Sequence, residues 1–223
     1  MIEHVLHPRI TENKDWVTLL FVLSFAIIAI TKSVYENRFG DFMNLLFSDK
    51  YSKVYRDSSH LKDGFTISLF FAQVISLAFF IQLSLSFFDY APKTDWILYI
   101  QIITFLIFFI FAKYLIEKII ATAFNIEEFV EQFNLQKVTY RTYIGLFILP
   151  INIILFYSNT ISKNIPLIII AIILTLNTLA YLISIKNYQN LIFGKLFYFI
   201  LYLCTLEIAP YFFMYYWYTK GSA

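Results

Sequence analysis

Cysteine is nearly absent: Cys204 is the only one in 223 residues, so neither a disulfide framework nor a CxxC metal site is available. Histidine is almost as scarce. His4, His7 and His60 all lie outside the long apolar runs, which excludes haem held by paired intramembrane histidines and an HExxH membrane protease. No aspartate sits deep inside an apolar run, so a paired-aspartate intramembrane protease is excluded as well. Charge is thin, 14% of residues against about 25% in a soluble domain. With 60% hydrophobic residues and a mean hydropathy of +0.69, a chain of this length would precipitate from water. Lipid is its solvent.

What is present is a series of long apolar runs. In lipid every backbone N–H and C=O is satisfied within the chain, which leaves helices or closed barrels. Barrel strands alternate over about 10 residues; these runs are longer and uniformly apolar. About 20 such residues cross the roughly 30 Å hydrocarbon layer. The sequence therefore predicts an all-α transmembrane bundle of six membrane helices, at about residues 16–35, 65–88, 96–116, 143–157, 167–185 and 196–218, in one domain over 1–223. The fourth run is short and broken by Pro150, and Pro166 opens the fifth, where the first turn has no use for the missing N–H. The first run ends at Lys32, Tyr35 and Arg38, not at a small-residue cleavage site, so it reads as a retained helix. No repeat relates the first three runs to the last three, and an inverted-repeat transporter has no support.

Orientation follows from the basic residues. Lys and Arg crowd the connections after the first, third and fifth runs, at Lys32 to Lys62, Lys113 to Arg141, and Lys186 with Lys195. The other side holds Arg9, Lys14, Lys93, Lys163 and Lys220, so the positive-inside rule puts both termini outside the cytoplasm. Trp16, Trp96 and Trp217, the only three tryptophans, all fall at predicted outer ends, where indole favours the headgroup level. The outer connections, Asp89 to Asp95 and Ser158 to Pro166, are too short for an extracytoplasmic domain.

The two cytoplasmic connections read as amphipathic helices. Phe47, Tyr51, Val54 and Tyr55 recur at helical spacing opposite Lys50, Lys53 and Arg56, which suits contact with anionic lipid headgroups or, equally, a solvated loop. Asn125 followed by Glu128 resembles a capping box ahead of the stripe Ile126, Phe129, Val130 and Phe133. Its glutamates would be repelled by anionic lipid, so that helix is expected to pack on protein. Membrane lipids and other envelope membrane proteins are the partners implied; nucleic acid is not, and no cofactor or metal is indicated.

Polar residues inside the runs carry whatever chemistry there is. Gln73, Asn152, Asn177 and Glu207 come out near mid-bilayer when counted at about 1.5 Å per residue. A charged side chain at a helix centre costs about 2.5 to 3.5 kcal/mol, and holding an ordinary glutamate protonated at pH 7 costs about 3.7 kcal/mol. The expectation is a neutral Glu207 facing the bundle interior and donating to Asn152 or Asn177. Pro150 and Pro210 kink the same two helices and free the carbonyls of Leu146 and Leu206 at a similar depth. Interhelical glue at about 0.6 kcal/mol per bond is the reading placed first for this cluster, ahead of a functional polar pocket. Lys113 and Glu117, one turn apart, read as a local pair, and Ser68, Ala72 and Ser76 as a small-residue packing face.

The string Leu201, Tyr202, Leu203, Cys204, Thr205, Leu206, Glu207, Ile208, Ala209, Pro210, with Gly145 to Pro150, Lys137 and Tyr143, resembles an uncharacterised family of polytopic membrane proteins of Bacteroidota. The family's string ends in a bulky aliphatic before proline, where this chain has Ala209. The resemblance implies an inner-membrane helical bundle and brings no activity or catalytic residues. Three functional readings follow, in this order: a non-catalytic partner or assembly factor of an envelope complex, a small-solute or proton-coupled transporter using Glu207, and a lipid-modifying enzyme built on Arg56, Asp57 and His60.

Overall fold

A computed structural model describes residues 14–45, 50–55, 63–158 and 164–187, with Tyr216. All regular structure among the described residues is α-helical: α1 (Asp15–Val34), α2 (Glu36–Met43), α3 (Lys50–Val54), α4 (Gly64–Phe87), α5 (Trp96–Ala123), α6 (Glu127–Tyr157) and α7 (Asn164–Asn187). Of these, α1, α4, α5 and the Val130–Tyr157 part of α6 are long and apolar enough to cross a membrane; the apolar stretch Asn164–Leu179 is shorter. The last apolar run, 196–218, lies outside the described residues apart from Tyr216.

Helix α4 is the hub. It packs on α1, α5 and α6, while α6 also meets α5 and α7. Small side chains make this possible: Ala72, Ser76 and Ala78 are fully buried and let neighbouring backbones close in. Two apolar clusters cap the hub. At the tryptophan end Phe79 stacks on Tyr99 at 4.5 Å and on Trp16 at 5.9 Å, and Trp16 meets Trp96 edge-on at 5.0 Å. At the opposite, basic end Phe42 and Leu45 pack with Phe65, Leu69, Tyr140 and Tyr143.

The connections are shaped by two residues in the left-handed region. Asp89 (φ 62°) ends α4 and Asn125 (φ 52°) ends α5. In each, the next N–H reaches back to the helix, Tyr90 to the Leu85 carbonyl and Ile126 to the Ala121 carbonyl, both at 3.0 Å. This is the double closure that satisfies orphan carbonyls at a helix C-terminus. Asn125 thus closes α5, and α6 begins at Glu127 with Ile126 at its cap and no side-chain cap bond. Asp95 opens α5 by accepting from the N–H groups of Ile97 (2.9 Å) and Leu98 (3.1 Å).

Two helices outrun the lengths expected from hydropathy. Helix α5 continues from residue 116 to Ala123, and α6 unites the expected amphipathic helix with the expected span in one helix of 31 residues, Pro150 included. In the first connection Tyr51 is turned into the protein against Phe42, at 5.6 Å, and Tyr55, at 4.9 Å, while Val54 is exposed.

Candidate functional site

The contact between α4 and α6 is polar where a membrane interior is ordinarily not. Gln73 and Asn152 are both 0% exposed, and Ser76 and Thr142 are buried beside them. Thr142 Oγ1 donates to Gln73 Oε1 at 2.9 Å. Asn152 Nδ2 donates to the Ser76 carbonyl at 2.8 Å and reaches Ser76 Oγ at 3.4 Å. Gly145 makes the approach possible: a Cβ there would come within 2.5 Å of Gln73 Cγ and 3.3 Å of its Cα. Three-and-four spacing puts Asn134, Lys137, Arg141, Gly145, Ile148 and Asn152 on one stripe of α6, so the polar seam runs along the helix.

Among the described residues each amide in the seam keeps one polar atom without a hydrogen bond: Gln73 Nε2 and Asn152 Oδ1, as well as Asn134 Oδ1 nearer the basic end. An unsatisfied amide in an apolar medium costs several kcal/mol. The Ser76 carbonyl can only accept, which fixes the Asn152 amide with its oxygen free to take a proton donor.

Below the seam a buried ion pair ties α6 to α5. Lys137 Nζ donates to Glu117 Oε1 at 2.9 Å, with the glutamate side chain 3% exposed. Removing one partner of such a pair is expensive because the other charge stays buried. The carboxylate that the sequence pairs with Lys113 is therefore engaged across helices.

A second clamp holds the α2–α3 segment to the start of α4. Arg38, 8% exposed, donates through Nη1 to Asp63 Oδ2 at 2.6 Å and through Nη2 to Thr66 Oγ1 at 3.4 Å. Its guanidinium lies over the rings of Tyr55 (4.8 Å) and Phe65 (4.6 Å). Burial pushes the Tyr51 phenol above the usual tyrosine range, and the nearby Arg38 cation opposes that shift.

Of the residues singled out by sequence, Gln73 and Asn152 come together in the seam. Asn177 does not join them: it is exposed on α7, and its Nδ2 donates to the Ile173 carbonyl of its own helix at 2.9 Å. Pro150 lies within α6 two residues before Asn152. Lys50 is bonded to Asp41 at 2.8 Å, which raises its pKa, and Lys53 lies on α3. Arg56, Glu207 and Pro210 lie outside the described residues. Sequence reasoning missed Thr142, which precedes the expected span, and the Arg38 clamp, whose partners are 25 and 28 residues away. Among the described residues no three His, Cys, Asp or Glu side chains come together as a metal site.

No curated protein and no solved structure matches the chain. A family profile described as a domain of unknown function (DUF4271) matches residues 17–218. With four helices long and apolar enough to span, and with that match over most of its length, the chain is an integral membrane protein of unknown activity that belongs to this family.

Proposed function

We propose that this protein is a non-catalytic partner or assembly factor of a cell-envelope membrane complex, a six-span bundle in the bacterial inner membrane with both termini outside the cytoplasm. The observation behind this reading is how the buried polar side chains are used. Thr142 binds Gln73, Asn152 binds Ser76, and Lys137 binds Glu117, so each fastens one helix to another. The described connection at the tryptophan end is brief, from Phe88 to Asp95, and offers no surface for a soluble substrate. Purification of the full chain in a mild detergent, with identification of whatever stays bound, tests the reading. A membrane protein retained in fixed stoichiometry supports it; a chain that runs alone counts against it.

A proton-coupled or small-solute transporter using Glu207 is the second reading. It is favoured by Gln73 Nε2 and Asn152 Oδ1, a donor and an acceptor that make no hydrogen bond among the described residues. Glu207→Gln keeps the shape and removes the titrating proton. If that substitution abolishes solute or proton flux in vesicles while protein level holds, the transporter reading gains; unchanged flux removes it.

A further inference from the structure

Asn177 stands where a polar side chain is costly. On α7 Pro166 is buried and Ile169, Ile170 and Ile173 are half-buried against the core, so this stripe is the one that packs on the bundle. Asn177 follows Ile173 by one turn with Leu174 beside it, yet both are exposed. Among the described residues, then, the side that α7 turns to the bundle is covered as far as Ile173 and bare beyond it. The carboxamide is half used: Nδ2 donates to the Ile173 carbonyl at 2.9 Å, which fixes Oδ1 as an acceptor. Among the described residues that oxygen accepts no hydrogen bond. Lipid cannot supply a donor, so such groups are ordinarily turned to protein.

The chain itself supplies a cover. It continues from Asn187 through 188–195 into the apolar run 196–218, which lies outside the described residues apart from Tyr216. Connections of about 2 to 8 residues join neighbouring antiparallel helices, and 188–195 is of that length. Glu207 is the only charged residue in the run. At roughly 1.5 Å per residue, Asn177 lies about 15 Å from the end of α7 at Asn187, and Glu207 about 16 Å from the start of the run at Leu196. The acid of the run therefore reaches the depth of the open amide. Asn152 is closed to it, being 0% exposed and held to the Ser76 carbonyl at 2.8 Å.

We infer that the run 196–218 folds back on the bare side of α7 as a helical hairpin, and that protonated Glu207 donates to Asn177 Oδ1 while its carbonyl oxygen takes the second N–H of Asn177 Nδ2. Carboxyl and carboxamide then meet in two-point fashion, and each satisfies what lipid would leave unmet. Apolar side chains flank the pair on both helices, Ile170 and Leu174 on α7 and, by helical spacing, Leu203 and Met214 on the run. The inference rests on the six-span reading above and deepens it: the carboxyl fastens two helices, as Gln73 and Asn152 do elsewhere in the bundle.

The test is disulfide formation in native membranes by Ile170→Cys with Met214→Cys in a Cys204→Ser background. Each lies seven residues from its member of the polar pair, toward the tryptophan end, so Asn177 and Glu207 stay in place. Mild oxidation should crosslink this pair within one chain, whereas Ile172→Cys with Met214→Cys, on the opposite side of α7 at nearly the same depth, should give none. In detergent, Glu207→Leu should shift the unfolding equilibrium about threefold toward the unfolded chain, the weight of one interhelical bond. Adding Asn177→Leu should cost little more, and Glu207→Gln, which can still donate, should cost little by itself. Additive losses from the two leucine substitutions would overturn the pairing. Absence of the first crosslink would overturn the hairpin, and a membrane-impermeant maleimide then separates the causes: a protected Glu207→Cys means that the run spans but packs elsewhere, a labelled one that the six-span reading itself fails. A disulfide-linked dimer formed by Ile170→Cys alone would put a second copy of the chain on this face and equally overturn the inference.

Discussion

Gly145 and Asn152 carry the seam at the scale of single residues. A Cβ at Gly145 meets not only the flexible Gln73 Cγ at 2.5 Å but its Cα at 3.3 Å, so Gly145→Ala forces backbones apart. The expected cost is about 1 to 3 kcal/mol of overpacking, read as a lower unfolding temperature in detergent, with Gly145→Val worse. Asn152→Leu removes one interhelical bond and one orphan oxygen together, so its cost should be small, about 0.6 kcal/mol and not above about 1.7. A loss of several kcal/mol there would mean that Asn152 does more than fasten helices. Tyr51 makes a pH-dependent contribution. Its phenol ionises at a higher pH folded than unfolded, so its stabilising effect is complete below the ordinary value of 10.0 and fades as pH climbs through the raised value. The absorbance of the unaltered chain minus that of Tyr51→Phe should show this phenol titrating above pH 10; titration at or below 10 would contradict its burial.

At the scale of elements, the Lys137–Glu117 ion pair fastens α5 and α6 at their basic ends. Glu117→Gln alone takes from Lys137, 14% exposed, the carboxylate it bonds across the helices and should cost up to about 3 to 5 kcal/mol. Replacing both by Met should be far milder, and a double-mutant cycle followed by thermal unfolding measures the coupling. Equal losses in the single and double variants would show that the pair does not hold the helices. The same pair explains where sequence reading fell short. Hydropathy placed α1 at 16–35 and α4 at 65–88, each within a residue of Asp15–Val34 and Gly64–Phe87, because uniform apolar runs have sharp ends. It stopped α5 at 116 and began the next span at 143, because Glu117 and the stretch from Lys137 to Thr142, with Arg141, look like the polar margins of a membrane. The charges of Glu117 and Lys137 cancel across helices that are close in space but 20 residues apart in sequence, and no local pattern records that. Asn125 and Glu128 had the spacing of a helix start, yet asparagine also tolerates the left-handed backbone that closes α5, and that use prevails.

At the scale of the whole molecule, the polar residues were legible because lipid makes any amide in an apolar run stand out. Gln73 and Asn152 could be picked from the sequence, but the groups they bond, Thr142 and the Ser76 carbonyl, could not. Helical periodicity fixes a face, whereas the partner of that face depends on packing, and Asn177 ended on an exposed side of α7. Ser76 was visible only as a small residue; its carbonyl, already part of a helix, acquired a second donor through the close approach of α6.

The claim on which the account rests is that α4 and α6 are joined side by side inside the bilayer at Ser76 and Asn152. Disulfide trapping in native membranes measures this directly, using Ser76→Cys with Asn152→Cys in a Cys204→Ser background under mild oxidation. Side chains now in contact at 3.4 Å should give a rapid intramolecular crosslink, seen as a shift on non-reducing gels, while Ser76→Cys with Asn177→Cys should give none. Failure of the first pair to crosslink, or equal crosslinking by the second, would contradict the account.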